Sequence, residues 1–246
     1  EYLNSFYQTW EEVKERKFDG FIVTGAPIAN IPFEEVRYWK EMLEIMAWTR
    51  TNVHHTMFIC WGAQAALHHF HQARRYRMDK KAFGVFRHQI LKPGSPWLRG
   101  MSDSPMIPVS RYNDIERASI GDDLEVLIDN PELGLCMLER KDGRAVYFLN
   151  HLEYDNRSLA DEYERDIAAG LDTPPPANLY PNGDASAVPE LDQRDLPDDT
   201  LQAGRDRTVR RHPHPASPLK KGEEPVCGLR RWRQARSVPP PFSGGG

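Results

Sequence analysis

The sequence predicts an α/β protein with a mostly parallel sheet, and three observations carry the prediction. Helical and strand-like segments alternate between residues 2 and 72, the strand-like runs are short and wholly apolar, and each ends in a glycine, a proline or a lone cysteine. Such alternation requires crossovers that lay helices on the faces of a sheet whose first strands run parallel.

The elements follow in order. "YLNSFYQTWEEVKERK" (2–17) carries Tyr2, Leu3, Phe6, Trp10 and Val13 at helical spacing with charges between them, which predicts an amphipathic helix. In "GFIVTGAP", Phe21, Ile22 and Val23 form a buried strand that Gly25 and Pro27 end in a loop. Pro32 opens a helix over "PFEEVRYWKEMLEIMAWTR", with acidic residues in its first turn and Arg50 in its last. "TMFIC" is a second buried strand and "WGAQAALHHFHQ" a second helix on the sheet.

From residue 84 the pattern changes to short strands: "GVFRHQIL", "LEVLIDN", "LGLCMLER" and "AVYFLNH", the last two joined by a hairpin at "KDGR". "RSLADEYERDIAAGLD" returns to helix, with Leu159, Tyr163, Ile167 and Ala168 on one side and Gly170 as its C-cap. Residues 1–184 therefore read as one domain. Residues 185–246 show neither period, few apolar residues and much Arg, Pro and Gly, the composition of a disordered tail.

Charge divides the chain in the same way. Up to residue 200 there are 22 basic and 33 acidic residues, and beyond it 10 and 3, so a domain of net charge −11 carries a tail of +7. Nucleic acid is not an expected partner of so acidic a domain, because phosphate binding needs clustered Lys and Arg. Three cysteines make no disulfide framework, and a reducing, cytoplasmic setting is the expectation. No apolar run is long enough to span a membrane.

The chemistry centres on Cys60. A strand, a cysteine and a helix in immediate succession put the thiol where a nucleophile elbow holds its serine, at the top of the sheet, with a helix N-terminus that favours the thiolate and backbone N–H groups that can hold an oxyanion. Phe58 stands where the glycine of G-x-S-x-G would be, and on this local pattern alone a packed, inert cysteine is the favoured reading. A base is available in "NHLEYD": His151 ends an apolar strand, and Glu153, two residues on, points the same way and can orient the imidazole. His68, His69 and His71 lack a matching partner set for a metal and read as solvated helix residues.

With these residues, the chain resembles the homoserine O-acyltransferases of methionine biosynthesis, the O-succinyltransferases and related O-acetyltransferases. "FDGFIVTGAP", "FEEVRYW", "FICWGAQAALHHF", "KAFGVF", "PVSRYND", "NHLEYD" and "DEYERDIAAGLD" occur in matching order along residues 1 to about 184. The resemblance implies the flavodoxin-like sandwich of class I glutamine amidotransferases. It also implies a ping-pong reaction in which Cys60 takes an acyl group from acyl-CoA, His151 moves the proton and Glu153 holds the imidazole. Lys81, Ser110 with Arg111 beside it, and Arg165 match positions that contact substrate. Ala29 matches the position that influences the donor; a small uncharged residue there leaves room for a succinyl carboxylate, so succinyl-CoA is expected over acetyl-CoA. The implied partners are L-homoserine and the acyl-CoA, with no cofactor and no metal, and a homodimer is compatible with the resemblance.

The chain departs from the family at both ends. Members carry a further N-terminal stretch with at least one sheet strand, whose loss would leave an unpaired edge and a less stable, inactive chain. The Arg/Pro/Gly tail replaces an aromatic-rich segment, as translation in a shifted frame would. Two other readings stand beside the acyltransferase: a glutamine amidotransferase-type hydrolase with the same Cys, His and Glu, and an inactive relative whose basic tail binds nucleic acid or acidic surfaces.

Overall fold

A computed structural model describes residues 7–155 and 157–180. The described residues before Lys17 fall in a different compact unit from those that follow. The described part of that unit holds one short helix, α1 (Trp10–Val13); of the helix expected over residues 2–17, residues 7–9 and 14–17 are not helical and residues 2–6 lie outside the described residues. The reason is local: Glu12 accepts the Thr9 backbone N–H at 2.6 Å and the Thr9 hydroxyl at 3.0 Å, a cap that starts the helix only at Trp10.

From Lys17 onward the chain builds a mixed sheet in the order β1-β2-β8-β7-β6-β4. β1 (Phe18–Val23), β2 (Val53–Ile59) and β8 (Ala145–Phe148) run parallel, as the alternation of the first segments requires. β7 (Gly134–Arg140), β6 (Leu124–Asn130) and β4 (Gln89–Ile90) continue it antiparallel. The β7–β8 hairpin turns at Gly143, which takes φ +73° as expected of "KDGR". A separate antiparallel pair, β3 (Arg75–Arg87) with β5 (Met106–Ile115), lies outside this sheet. β5 is a strand the sequence pattern did not yield: its polar and charged residues, from Ser110 to Asp114, break any apolar run.

The strand face toward the helices carries Phe58, Ala145, Tyr147 and Leu149, packed with α2 (Trp39–Asn52) and α3 (Trp61–His71). Val146 and Phe148, one residue out of step, point into a second cluster with Leu127, Cys136 and Leu152. Phe58 and Tyr147 stack at 5.3 Å and are 1% and 0% exposed, so each buries a side chain worth about 1.5–3 kcal/mol.

Two helices differ from expectation. The helix expected from Pro32 is a 3-10 turn at Phe33–Glu35, an extended Val36, and then α2. The break lets Phe33 stack on Trp39 at 5.2 Å and meet Trp61 edge-on at 5.7 Å, and those buried contacts outweigh helix continuity. α4 (Ser158–Ala168) ends with Gly170 at φ +72°, but its inward face is Leu159, Ala160 and Asp166, while Ile167 is 49% exposed. A third cluster of Phe83, Val85, Leu159, Ala160 and Leu179 joins α4 to β3. Residues 185–246 lie outside the described residues. No described helix is long and apolar enough to cross a membrane.

Candidate active site

β2 ends at Ile59 and α3 begins at Trp61, leaving Cys60 alone in the turn at φ 50°, ψ −118°. A non-glycine residue with positive φ is strained, and the surroundings hold it there. Its N–H donates to Phe148 O at 2.7 Å, and its carbonyl accepts the first helical bond from Gln64 N at 3.0 Å. The elbow needs no glycine at Phe58, whose side chain is buried on Tyr147, but it does need Gly62. A Cβ at Gly62 would sit 2.8 Å from Thr24 O and 2.9 Å from Val23 O, so only glycine lets α3 start against the end of β1. Gly25, in the loop after β1, keeps open the space beside the thiol: a Cβ there would come within 3.1 Å of Cys60 Cβ and 3.6 Å of both Cys60 Sγ and Trp61 N.

His151 arrives from the end of β8. The segment is pinned by Leu149 N–H to Cys136 O (2.8 Å) and His151 N–H to Pro108 O (3.0 Å). Between them Asn150 donates its amide to His88 Nε2 at 2.9 Å, and His88 in turn donates Nδ1–H to Phe86 O at 2.8 Å. His151 donates Nδ1–H to Glu153 Oε1 at 2.8 Å, and the ring is hydrogen-bonded to Cys60. Burial by itself would keep this imidazole neutral. The charge of Cys60 and the hydrogen bonds to Cys60 and Glu153 outweigh it and raise the pKa to about 10. The geometry sets a thiol beside an imidazole whose other nitrogen a carboxylate orients, the arrangement that activates a cysteine nucleophile.

Tyr154 stacks on the His151 ring, centroids 4.2 Å apart and planes at 20°. Its hydroxyl donates to Glu162 Oε2 at 3.4 Å. Glu162 leads to a second polar group: Lys81 Nζ lies 2.8 Å from Glu162 Oε1 and 3.2 Å from Asp166 Oδ2, and Ser110 Oγ donates to the same Glu162 oxygen at 2.6 Å. Arg165, with a side chain 58% exposed, pairs with Asp166 Oδ1 at 2.9 Å. Lys81 and Ser110 therefore converge from β3 and β5 onto one carboxylate. Glu162 and Asp166 were not singled out from the sequence; their i,i+4 spacing on α4 was the available signal.

Other expected residues fall elsewhere. Arg111 is an interior structural cation, bound to Asp114 Oδ1 at 2.8 Å and donating to Leu133 O at 2.5 Å, both side chains 2% exposed. Ala29 sits in the loop after β1, where its carbonyl accepts Asn113 Nδ2 at 2.7 Å. His71 is not a solvated helix residue: its ring is enclosed, 2.8 Å from the Tyr147 hydroxyl and 2.7 Å from Asp123 Oδ2. The C-terminal turn of α3 faces the sheet there, and burial lowers the pKa of His71 despite Asp123.

Comparison with known proteins bears on the fold and the family. The fold is similar to a glutamine amidotransferase of Thermotoga maritima, with a TM-score of 0.51, 14% identity, and coverage of 60% of this chain and 63% of that one. In sequence the chain is 67% identical over 190 residues to a homoserine O-succinyltransferase of Pelagibacterium halotolerans, and 52% identical over 192 residues to a homoserine O-acetyltransferase of Rhizobium johnstonii. Each alignment covers 77% of this chain and 62% of the relative, so the chain spans less than two thirds of their length. The profile of the homoserine O-succinyltransferase family matches residues 1–197, which include the elbow, the His151–Glu153 pair and the Lys81–Glu162 cluster, and the chain belongs to that family.

Proposed function

We propose that the chain moves an acyl group from acyl-CoA to the hydroxyl of L-homoserine, in methionine biosynthesis in the cytoplasm. The observation that carries this reading is Cys60, held at positive φ beside the His151 imidazole that Glu153 orients. Family membership supports the substrates.

The geometry and the family resemblance support the following steps. Cys60 Sγ adds to the thioester carbonyl of acyl-CoA, and the oxyanion points into the space that Gly25 leaves beside Trp61 N–H. The carbon–sulfur bond to CoA breaks, and CoA leaves with the proton that His151 took from the thiol. His151 then accepts the proton of the homoserine hydroxyl as its oxygen attacks the acyl-cysteine, and returns it to the departing Cys60 thiolate. Lys81, Ser110 and Arg165 receive the charged end of homoserine. The exposed Arg165 side chain has room to turn its guanidinium to a carboxylate in a bidentate pair. At Ala29 no carboxylate opposes a succinyl group, which supports succinyl-CoA as the preferred donor.

Mass spectrometry of the intact chain tests the reading. Succinyl-CoA is expected to leave a succinyl mass on Cys60 that L-homoserine then removes, with no adduct in Cys60→Ala. A chain that is never acylated, or an adduct that homoserine leaves in place, refutes it. Comparing kcat/KM for the two donors tests the succinyl preference, and a clear acetyl preference sinks that part.

A further inference from the structure

Tyr154 touches both halves of the site. Its ring lies 4.2 Å from the His151 ring and nearly parallel to it, and its hydroxyl reaches the Glu162 carboxylate that also receives Lys81 and Ser110. Elsewhere the ring packs against the cluster of Phe83, Val85, Leu159 and Ala160, so it is wedged between that core and the imidazole. An aromatic face is negative, and a desolvated cation laid on it is stabilised.

We propose that Tyr154 is a positioning residue whose ring face holds His151 as a cation beside Cys60. The inference rests on the Cys60–His151 reading given above. The titratable groups facing His151 are Cys60 from the turn before α3, Glu153 from its own loop and Tyr154, with Glu162 of α4 beyond the Tyr154 hydroxyl. Cys60 and Glu153 attract the proton through charge and hydrogen bonds in the plane of the ring. Tyr154 contributes from the ring face, through an attraction that depends on the electron density of its own ring.

That dependence allows a test that leaves the packing intact. Phenylalanine and its mono-, di- and trifluorinated analogues are placed at position 154 of the full chain. Iodoacetamide alkylation of Cys60 is then followed by peptide mass spectrometry, which separates it from Cys136 and Cys227. No substrate is needed. Tyr154→Phe is expected to alkylate within about twofold of the unaltered chain at about pH 6, and each added fluorine to slow it, to about tenfold for the trifluorinated ring. Tyr154→Leu is expected to fall at the slow end. A rate that does not change along the fluorine series overturns the proposal, as does a Tyr154→Phe variant as slow as the trifluorinated one. The unaltered chain tests the underlying reading separately: if its Cys60 alkylates at that pH no faster than a free thiol, there is no thiolate–imidazolium pair and the role of Tyr154 falls with it.

Discussion

Replacing Lys81 by methionine asks whether this lysine holds the fold, apart from the substrate contact proposed for it. Its ammonium lies 2.8 Å from Glu162 Oε1 and 3.2 Å from Asp166 Oδ2, and the three side chains are 5%, 13% and 7% exposed. Methionine keeps the length and the apolar stem but removes the charge, leaving two nearly buried carboxylates four residues apart. Removing one partner of such a pair costs about 3–5 kcal/mol, because the other charge is left desolvated. Arg165 still reaches Asp166 Oδ1 at 2.9 Å, but from an exposed position, which favours the lower end. About 3 kcal/mol moves a urea midpoint by roughly 1.5 M for a slope of about 2 kcal/mol/M. Tryptophan fluorescence at neutral pH reads it directly.

The pH dependence adds a second check on the same variant. Burial raises the pKa of Asp166, but hydrogen bonds and charge from Arg165 and Lys81 outweigh it and hold the group below its ordinary 3.8. A carboxylate depressed by folding contributes stability above its unfolded pKa and loses it as pH falls through the folded value. The gap between Lys81→Met and the unaltered chain is therefore expected to narrow below 3.8. A midpoint unchanged at neutral pH, or a gap that stays constant into acid, refutes the structural role of Lys81.

Two further outcomes follow from other parts of the molecule. His88 is 0% exposed, and burial holds its pKa down to about 4 from 6.5. The unfolded chain takes up a proton between those values that the folded chain refuses, so stability falls by up to about 3 kcal/mol across that window as pH drops. His88→Gln is expected to flatten this acid limb in denaturation curves, and an equally steep limb would reject the assignment. At Gly62 an added methyl meets Thr24 O at 2.8 Å. Gly62→Ala is expected to lower stability by about 1–2 kcal/mol net of the alanine's helix preference, read as a drop in Tm, and to slow Cys60 alkylation. A variant as stable and reactive as the unaltered chain would show that the elbow tolerates the contact.

Much of the site was legible because chain-local rules produce it. A run of β-branched and aromatic residues, a cysteine and an alanine-rich helix specify the elbow within a dozen residues, and His-x-Glu at a strand end specifies the orienting bond. The helix face of α4 was not legible. Ile167 satisfied the apolar period, yet the face that turns inward holds Asp166, because Lys81 of β3 waits there to neutralise it. Nor was the role of Arg111, since charge alone does not distinguish a substrate contact from an interior ion pair.

The sequence by itself determined the alternation that makes the first strands parallel, the turn that displays Cys60 and the pairing of His151 with Glu153. These depend on neighbours within a few residues, where periodicity and backbone preference decide. Only the tertiary structure decided that His151 meets Cys60, that Lys81 and Ser110 share the Glu162 carboxylate, and that Tyr154 lies across the gap between them. Those contacts join residues dozens of positions apart. Their energies come from burial and charge that no local pattern encodes.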